Sequence, residues 1–413
     1  MSTPAASHFS TRDLIGPTLI FLAAFLLAVT VAAPTFLVDK FRKVSLDTDV
    51  TVVATSAPGT KFLDACALDA PVALVRTGDL LTGQRVVAVR PADADRVTLQ
   101  AGTSVRVAGG KAAEDCDNPT VTAFKDRVTL DRRSAAPIAN PVSAVQYDSN
   151  RAPVPLPQRA GVTYLFPRDP ASGLSFYDVA TRRSVPLRAA GDANVNGLDA
   201  VRFTADIPDT DLSTQYGVDN RPEPGTLITR PARWFGSIDG VAPSTPLTAA
   251  LHRSGQWSLS VDPKTGIIID ADFTIAQEYR IVNPGTNAAL SGLRLPSLVA
   301  SFSYDDTSQK ELTDTARAQS RPQIIWGRIV PLIAGMLGVI ALVAGVVLLR
   351  RGSRRPVNRA RSLRSRRPAS KGDPVRERRD GGSYRGDGDE TGDAVGDEQD
   401  RDGLAEDHQP RDQ

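Results

Sequence analysis

Two uninterrupted apolar segments near the chain ends dominate the pattern of hydrophobic and polar positions. Neither the segment Leu14–Val38 nor the segment Ile329–Leu349 contains a charged residue. Each supplies the roughly 20 residues that a helix needs to cross the hydrocarbon of a bilayer, and neither shows the polar face of a soluble helix. The pattern therefore predicts two transmembrane helices, over residues 14–38 and 329–349.

The first apolar segment has two interpretations. Val31, Ala32 and Ala33 offer small residues for a signal-peptidase site, which would make the segment a cleaved signal peptide. However, Pro34 would directly follow that cut, and the apolar run exceeds the ~7–15 residues of a usual signal-peptide core. We therefore favour an uncleaved signal anchor, with cleavage as the alternative.

Between the two apolar segments the pattern changes to short β-branched and aromatic runs bounded by Gly, Pro, Asp or Asn, which is typical of strands. Asp169–Gly173 and Asp262–Gly266 each predict a turn with Asp, Pro and Gly at the positions that favour chain reversal, and Asn196-Gly197 predicts a hairpin. Helix formers occupy Ser308–Gln319. The fold class is thus α+β, with two transmembrane helices flanking a large, mainly β extracytoplasmic domain. The predicted strands are Val50–Ala54, Arg85–Val89, Val97–Gln100, Val121–Leu130, Val142–Tyr147, Val162–Phe166, Trp257–Val261 and Gly266–Ile281.

The charge is distributed unevenly along the 413 residues, although the net charge is only +2. Residues 39–328 carry 32 basic and 32 acidic side chains, and so lack the basic footprint of a nucleic-acid binder. The segment 350–379 carries 13 basic and 2 acidic side chains, whereas the last 34 residues carry 3 basic and 12 acidic ones. A tail of this composition, residues 350–413, is predicted to be disordered.

The basic segment after Leu349 also predicts the topology, because positive charge beside a transmembrane helix stays in the cytoplasm. The C-terminus should therefore be cytoplasmic. Two crossings then leave residues 1–13 as a short cytoplasmic N-terminus and residues 39–328 outside. The expected localisation is a two-pass protein of the cell membrane.

The two cysteines, Cys66 and Cys116, both lie in the segment expected outside the cytoplasm. A disulfide is the usual state of a cysteine pair in an exported domain, with two free buried thiols as the alternative. Ala334/Gly338 and Ala341/Gly345 place small residues four apart in the second apolar segment. That spacing favours close packing against another helix, either the first span or a second copy.

Candidate chemistry is sparse. His252 is the single histidine of residues 39–328, which excludes a multi-histidine zinc site, and beside Arg253 it is best interpreted as a solvated loop residue. Asp270 and Asp272 lie on one face of a predicted strand, as a solvated pair rather than a catalytic one. Asp192–Gly197 matches half of a calcium loop, but Phe203 stands at the position that requires Glu, so a hairpin is favoured. We expect no catalytic, cofactor-binding or metal-binding residues, no cofactor and no enzyme activity.

Residues 12–350 resemble an actinobacterial family, domain of unknown function 3068, also called the PorA family. The resemblance rests on the order of several segments and on the two-span plan. Those segments are Asp13–Ile20, Val44–Asp49, Asp126–Arg133, Gly161–Pro167, Asn196–Phe203 and Val261–Gly266. The resemblance implies an envelope protein of mycolic-acid bacteria and a link to maturation of lipomannan and lipoarabinomannan.

From these observations we expect a membrane-anchored envelope protein that binds or presents a lipid or glycolipid during mannolipid assembly. The alternative is a ligand-free scaffold or regulator of envelope biosynthetic enzymes. Expected partners are membrane lipids or glycolipids, together with envelope glycosyltransferases or other membrane proteins, and no nucleic acid. The strands Trp257–Val261 and Gly266–Ile281 are candidates to line a ligand site; otherwise their side chains fill the core.

Overall fold

The computed structural model describes residues 11–38, 43–110 and 116–352. Two long helical segments enclose a β domain, Asp49–Tyr304, in the sequence. Helix α1 spans Thr11–Ala32 and continues into a π-helical turn at Ala33–Leu37. Sequence predictions for the N-terminal 10 residues, for 39–42 and for the tail beyond 352 lie outside the described residues.

The β domain contains sixteen strands in the described residues. They are β1 Asp49–Ser56, β2 Lys61–Leu63, β3 Val75–Thr77, β4 Leu80–Val89, β5 Arg96–Val107, β6 Thr120–Asp131, β7 Ser143–Gln146, β8 Val154–Leu156, β9 Ser175–Asp178, β10 Arg183–Pro186, β11 Arg188–Val195, β12 Leu198–Asp211, β13 Leu227–Pro231, β14 Pro246–Val261, β15 Ile268–Ile281 and β16 Leu295–Tyr304. A short helix, α2, occupies Ala288–Ser291.

Fourteen of these strands form one antiparallel sheet in the order β11-β12-β14-β15-β16-β1-β4-β5-β6-β7-β8. Strand β13 pairs with β14, and β2 joins β16 to β3, while β9 and β10 form a separate hairpin. A twisted sheet of this length has to curl, because strand twist accumulates from each strand to the next. Val121 of β6 and Trp257 of β14, from opposite halves of this path, pack against the same hydrophobic cluster.

After β16 the chain enters one continuous helical segment. Helix α3 spans Asp306–Ile324, a π-helical turn covers Ile325–Ile329, and α4 spans Val330–Gly352. The Asp305 carboxylate caps α3 by accepting a hydrogen bond from the Ser308 amide at 2.8 Å. Leu312 and Ala316 of α3 are buried against the β domain. The predicted boundary between residues 328 and 329 is therefore not a break in secondary structure.

Helices α1 and α4 pack against each other along their length. A Cβ atom on Gly345 would lie 2.9 Å from Ile20 Cγ1, and one on Gly338 would lie 3.2 Å from Leu27 Cγ. The predicted small-residue face of the second apolar segment thus contacts the first segment of the same chain. Large side chains on the remaining faces are exposed; Phe21, for example, is 77% exposed. Both helices are long and apolar enough to cross a membrane.

The strand predictions are confirmed except for one segment. Most of the observed strands extend beyond the predicted limits. Val162–Phe166 does not form a ladder; only Val162 makes a single bridge, to Phe176. The Phe166 amide instead donates to Gly266 O at 2.8 Å, which joins this extended segment to the turn before β15. His252 was also wrongly placed in a loop, since it belongs to β14.

An internal cavity as the candidate functional site

The curled sheet encloses a cavity of about 470 Å³ inside the β domain. Strands β1, β4, β5 and β6 supply one part of its wall, and β14 and β15 supply another. Residues of β9 and α3 and of the segments 44–48, 163–168 and 212–226 contribute most of the rest of the wall. A cavity of this size falls in the range of small-molecule sites, which is roughly 300–1,000 Å³.

An aromatic wall lies along β9, β14 and β15. Trp257 stacks on Phe273, with ring centroids 4.3 Å apart and an interplanar angle of 17°. Phe176 also contacts Trp257, with centroids 5.2 Å apart and an interplanar angle of 45°. All three rings line the cavity. Such a wall offers large apolar area with little side-chain entropy left to lose on contact with a ligand.

The buried carboxylates of the wall have partners of opposite charge. Glu223 Oε1 accepts from Arg182 Nη2 at 2.7 Å, and Asp178 Oδ1 lies 3.6 Å from Arg253 Nη2. Asp178 Oδ2 also accepts from the Thr181 amide and hydroxyl, each at 2.8 Å. These carboxylates are thereby compensated within the protein.

A second set of polar groups is buried immediately beside the cavity. Arg159 donates from Nη1 to both oxygens of Asp126, at 2.6 and 2.8 Å, and its guanidinium lies 4.7 Å from the ring centroid of Tyr177. The Tyr164 hydroxyl donates to Asp126 Oδ2 at 2.7 Å. The side chains of Arg159 and Asp126 are 1% and 0% exposed, so this is a fully desolvated ion pair. It holds the 157–167 segment against β6.

Burial changes the acidity of the phenols around the cavity. It raises the pKa of Tyr177 and the pKa of Tyr147 to about 12 each, because the phenolate would lose its hydration. Burial likewise raises the pKa of Tyr164 well above its ordinary value. Each of these phenols therefore stays protonated at neutral pH and can serve as a hydrogen-bond donor.

Two polar atoms of the wall stand out. Gln215 Nε2 and Thr82 Oγ1 are buried and have no hydrogen-bond partner among the residues that the structure describes. Both residues line the cavity. A buried donor without a partner costs free energy, so such atoms mark positions where a bound polar group would be favoured.

Some of the residues predicted as candidates from the sequence line the cavity, and others do not. Trp257, Phe273 and Ile275, from the two strands proposed to line a ligand site, do line the cavity. Asp270 and Asp272 instead accept hydrogen bonds from Gln309 Nε2 and Ser303 Oγ, at 3.1 and 2.6 Å. Burial, reinforced by Asp272, raises the pKa of Asp270.

The remaining candidates are structural. His252 Nδ1 lies 3.2 Å from Asp209 Oδ2, at the surface. Asn194 Oδ1 accepts from the Gly197 amide at 3.1 Å, which closes the predicted β11–β12 hairpin. Cys66 and Cys116 form a disulfide with their Cα atoms 5.9 Å apart, as predicted. Their sulfurs are therefore unavailable as metal ligands beside Asp64, although the three residues lie close together.

Sequence reasoning missed Gln215, Thr82, Asp178 and Glu223 as cavity residues. They come from segments far apart in the chain and have no shared spacing. The segment from Asp209 to Gly225 is polar and rich in Pro and Gly, a composition typical of a surface loop, and nothing in it indicates that Gln215 and Glu223 turn inward.

Together these features define a membrane-associated protein with a β domain between two apolar helices. The family model described as Porin PorA matches residues 15–347, which includes both helices and the β domain. The chain therefore belongs to the PorA family. A protein of Corynebacterium amycolatum named Porin PorA is 23% identical over 380 residues, covering 80% of this chain and 97% of the relative. A protein of the same name from Corynebacterium resistens is 24% identical over 415 residues, covering 84% and 99%.

Family membership corrects the functional prediction. The expectation that the chain binds or presents a lipid or glycolipid is wrong, because its relatives are named as porins, which form channels. The same finding replaces the alternative of a ligand-free scaffold. The prediction that the chain is not an enzyme is confirmed, since the family is one of non-enzymatic channel proteins.

Proposed function

We propose that the protein is a channel-forming porin of the cell envelope, and that its pore is assembled from several copies. Membership of the Porin PorA family over residues 15–347 carries this proposal. The need for more than one copy follows from the geometry of the two apolar helices.

One pair of helices leaves no space for a pore. A Cβ atom on Gly16 would lie 2.9 Å from Leu349 Cδ2, and one on Gly345 would lie 3.2 Å from Gly16 O, so the two helices touch directly. The β domain offers no replacement among the described residues. Its large exposed apolar side chains are scattered from Leu46 to Val282 and form no band of the kind that a transmembrane barrel presents to lipid. Helices from several copies would therefore have to surround the lumen.

Planar-bilayer recording of the purified full-length chain tests the proposal. We expect discrete conductance steps whose frequency rises more steeply than in proportion to the amount of protein, because assembly precedes opening. Gly345→Leu, which forces α1 and α4 apart, should abolish the steps. Gly335→Ala is the matched control, because its added methyl group meets only Thr30 side-chain atoms at 3.5 Å.

Two outcomes would contradict the proposal. An absence of steps, with incorporation of the protein verified by immunoblot of the same membranes, would exclude channel formation. A step frequency proportional to protein, from a preparation shown by crosslinking to contain only single chains, would exclude the multi-copy pore and indicate conduction through a single chain.

For the orientation we propose that both termini are cytoplasmic and that the β domain lies outside. Arg350 and Arg351 in the last turn of α4, and the basic sequence that follows, support this arrangement. The disulfide between Cys66 and Cys116 also suits an extracytoplasmic domain.

A further inference from the structure

We propose that the cavity of the β domain binds a neutral aromatic molecule that carries a hydroxyl or carbonyl oxygen. The site is separate from any pore and does not depend on channel formation. It would be a ligand site inside the β domain, in addition to the membrane function. Three properties of the wall select this chemical class: its aromatic rings, its compensated charges and its buried polar atoms without partners.

The rings of the wall favour an aromatic ligand. Phe176, Trp257 and Phe273 form one continuous surface, with neighbouring centroids 5.2 and 4.3 Å apart. Aromatic pairs in stacked or edge-to-face contact are stabilised beyond the apolar area that they bury. A planar ring entering beside Trp257 extends this stack, whereas a flexible chain would lose more conformational entropy to occupy the same space.

The compensated charges exclude an ionic ligand. Glu223 has Arg182 at 2.7 Å and Arg151 at 3.6 Å, and Asp178 has Arg253 at 3.6 Å. An ion entering the buried part of the cavity would lose its hydration, and the Glu223 and Asp178 carboxylates there already have arginine partners, so ion binding would be costly. A neutral molecule avoids this loss.

The polar atoms then define what the ligand must carry. Gln215 Nε2 can donate, and Thr82 Oγ1 can donate or accept, and neither has a partner among the described residues. An oxygen on the ligand that accepts from Gln215 Nε2 would satisfy the buried amide. We take this hydrogen bond as the main polar contact of the site.

Binding of 2-naphthol, a neutral ring with one hydroxyl, tests the inference on the full-length protein in detergent. We expect saturable binding of one molecule per chain, read by titration calorimetry and by quenching of tryptophan emission, because Trp257 is in the wall. The Trp257→Phe variant should still bind while most of the quenching is lost.

Naphthalene, which lacks the hydroxyl, should bind about fivefold more weakly, as expected for one hydrogen bond. The carboxylate 2-naphthoate should bind at least about tenfold more weakly, because a buried anion would lack a free counter-charge.

Variants locate the contact. Gln215→Met keeps the length of the side chain and removes its amide, so it should bind 2-naphthol about fivefold more weakly and bind 2-naphthol and naphthalene equally. Gln256→Met is the matched control, because Gln256 is an exposed residue of β14 next to Trp257 and its amide donates to Asp206 Oδ1 at 2.7 Å. It should bind as the unaltered protein does.

The inference would be overturned by equal binding of 2-naphthol and 2-naphthoate, by an unchanged affinity in Gln215→Met, or by no saturable binding. Displacement of bound 2-naphthol by an equimolar amount of phosphatidylcholine would identify a lipid as the preferred occupant and would also overturn it. The comparison of the three probes uses the unaltered protein, so it remains decisive if Gln215→Met does not fold. None of these results depends on conductance, so failure of the ligand site and failure of the pore can be told apart.

Discussion

At the scale of single residues, Asp126 and Arg159 form a buried ion pair that their sequence context does not indicate. Asp126 lies on β6 and Arg159 follows β8, yet both are fully buried and joined by two hydrogen bonds. Charged groups that are removed from water in this way are also found in active sites. Here the Tyr164 hydroxyl donates to the Asp126 carboxylate and the Tyr177 ring packs against the Arg159 guanidinium, so the pair fixes the wall of the cavity.

Removing one charge of this pair should be strongly destabilising. Asp126→Asn keeps the shape of the side chain but leaves the Arg159 guanidinium buried without a counter-charge, which typically costs about 3–5 kcal/mol. Chemical denaturation of the full-length protein in detergent measures the loss. The control is Asp49→Asn, whose partner Arg85 is 64% exposed on its side chain and well hydrated, so little change is expected. Equal effects of the two substitutions would contradict the structural role of the buried pair.

The buried phenols make stability sensitive to alkaline pH. The folded pKa of Tyr177 is raised to about 12, above the ordinary value of 10.0 that applies to the unfolded chain. The protonated phenol is therefore favoured by folding. Its contribution is complete below pH 10 and is lost as the pH rises through about 12.

We therefore expect the unfolding temperature to fall between pH 10 and about 12, with a smaller fall in Tyr177→Phe. The ultraviolet absorbance of phenolate, recorded over the same range, would show delayed ionisation in the folded protein. A Tyr177→Phe variant with the full pH dependence would show that Tyr177 does not contribute to it.

At the scale of elements, the apolar helices were predictable because their signal is local. The length of each apolar run and the small residues at Ala341 and Gly345 are read directly from the sequence. The hairpins at Asn196-Gly197 and at Asp262–Gly266 were equally predictable, since turn chemistry requires particular residues. Gly266 has φ +77°, and a Cβ there would lie 2.0 Å from Phe166 O.

The error at Val162–Phe166 has a physical cause. Alternating apolar residues favour an extended backbone, and this segment is extended, but a strand also requires a neighbour in register. That neighbour is replaced by single contacts with Phe176 and Gly266. The cavity was unpredictable for a related reason. Its wall combines strands from β1 to β15, and no local pattern specifies which faces of a curled sheet leave space between them.

The packing of α1 on α4 gives a prediction at this scale. Gly345→Ala places a methyl group 2.9 Å from Ile20 Cγ1 and 3.2 Å from Gly16 O, and the backbone oxygen cannot move unless the helices separate. Overpacking of this kind typically costs about 1–3 kcal/mol. The unfolding temperature in detergent should fall, and limited proteolysis of the helical pair should accelerate.

Gly335→Ala provides the comparison within the same helix. Its added methyl group would make only ordinary contacts with the Thr30 side chain, at 3.5 Å. Its unfolding temperature should remain close to that of the unaltered protein. If Gly345→Ala were as stable as Gly335→Ala, close contact between the two helices would not be what stabilises them.

At the scale of the whole molecule, the segments that carry the family resemblance meet one another in space. Asp126 contacts Tyr164, so the Asp126–Arg133 and Gly161–Pro167 segments join beside the cavity. Phe166 donates to Gly266 O, which adds the Val261–Gly266 segment. Asn196 O accepts from Arg317 of α3, which ties the Asn196–Phe203 hairpin to the helix leading toward α4. These contacts fix how the β domain is built and how it is joined to its apolar helix.

Because α3 joins the β domain to α4, the direction in which α4 crosses a membrane determines the side on which the β domain lies. Because α3, the π-helical turn and α4 are continuous, a membrane crossing by α4, as proposed above, would place Gly352 on the opposite side of the membrane from α3. Thirteen basic residues against two acidic ones follow between 350 and 379, and positive charge of this density is retained in the cytoplasm. The β domain would then be outside.

A periplasm-active reporter fused at residue 200 should be active, and one fused after residue 380 inactive, with a cytoplasm-active reporter giving the reverse at both positions. Exchange of Arg350 and Arg351 for glutamine alone should not invert the result, because 11 of the 13 basic residues remain. If instead residue 380 were exported and residue 200 cytoplasmic, the disulfide of the β domain would lie in a reducing compartment, and the proposed orientation would have to be abandoned.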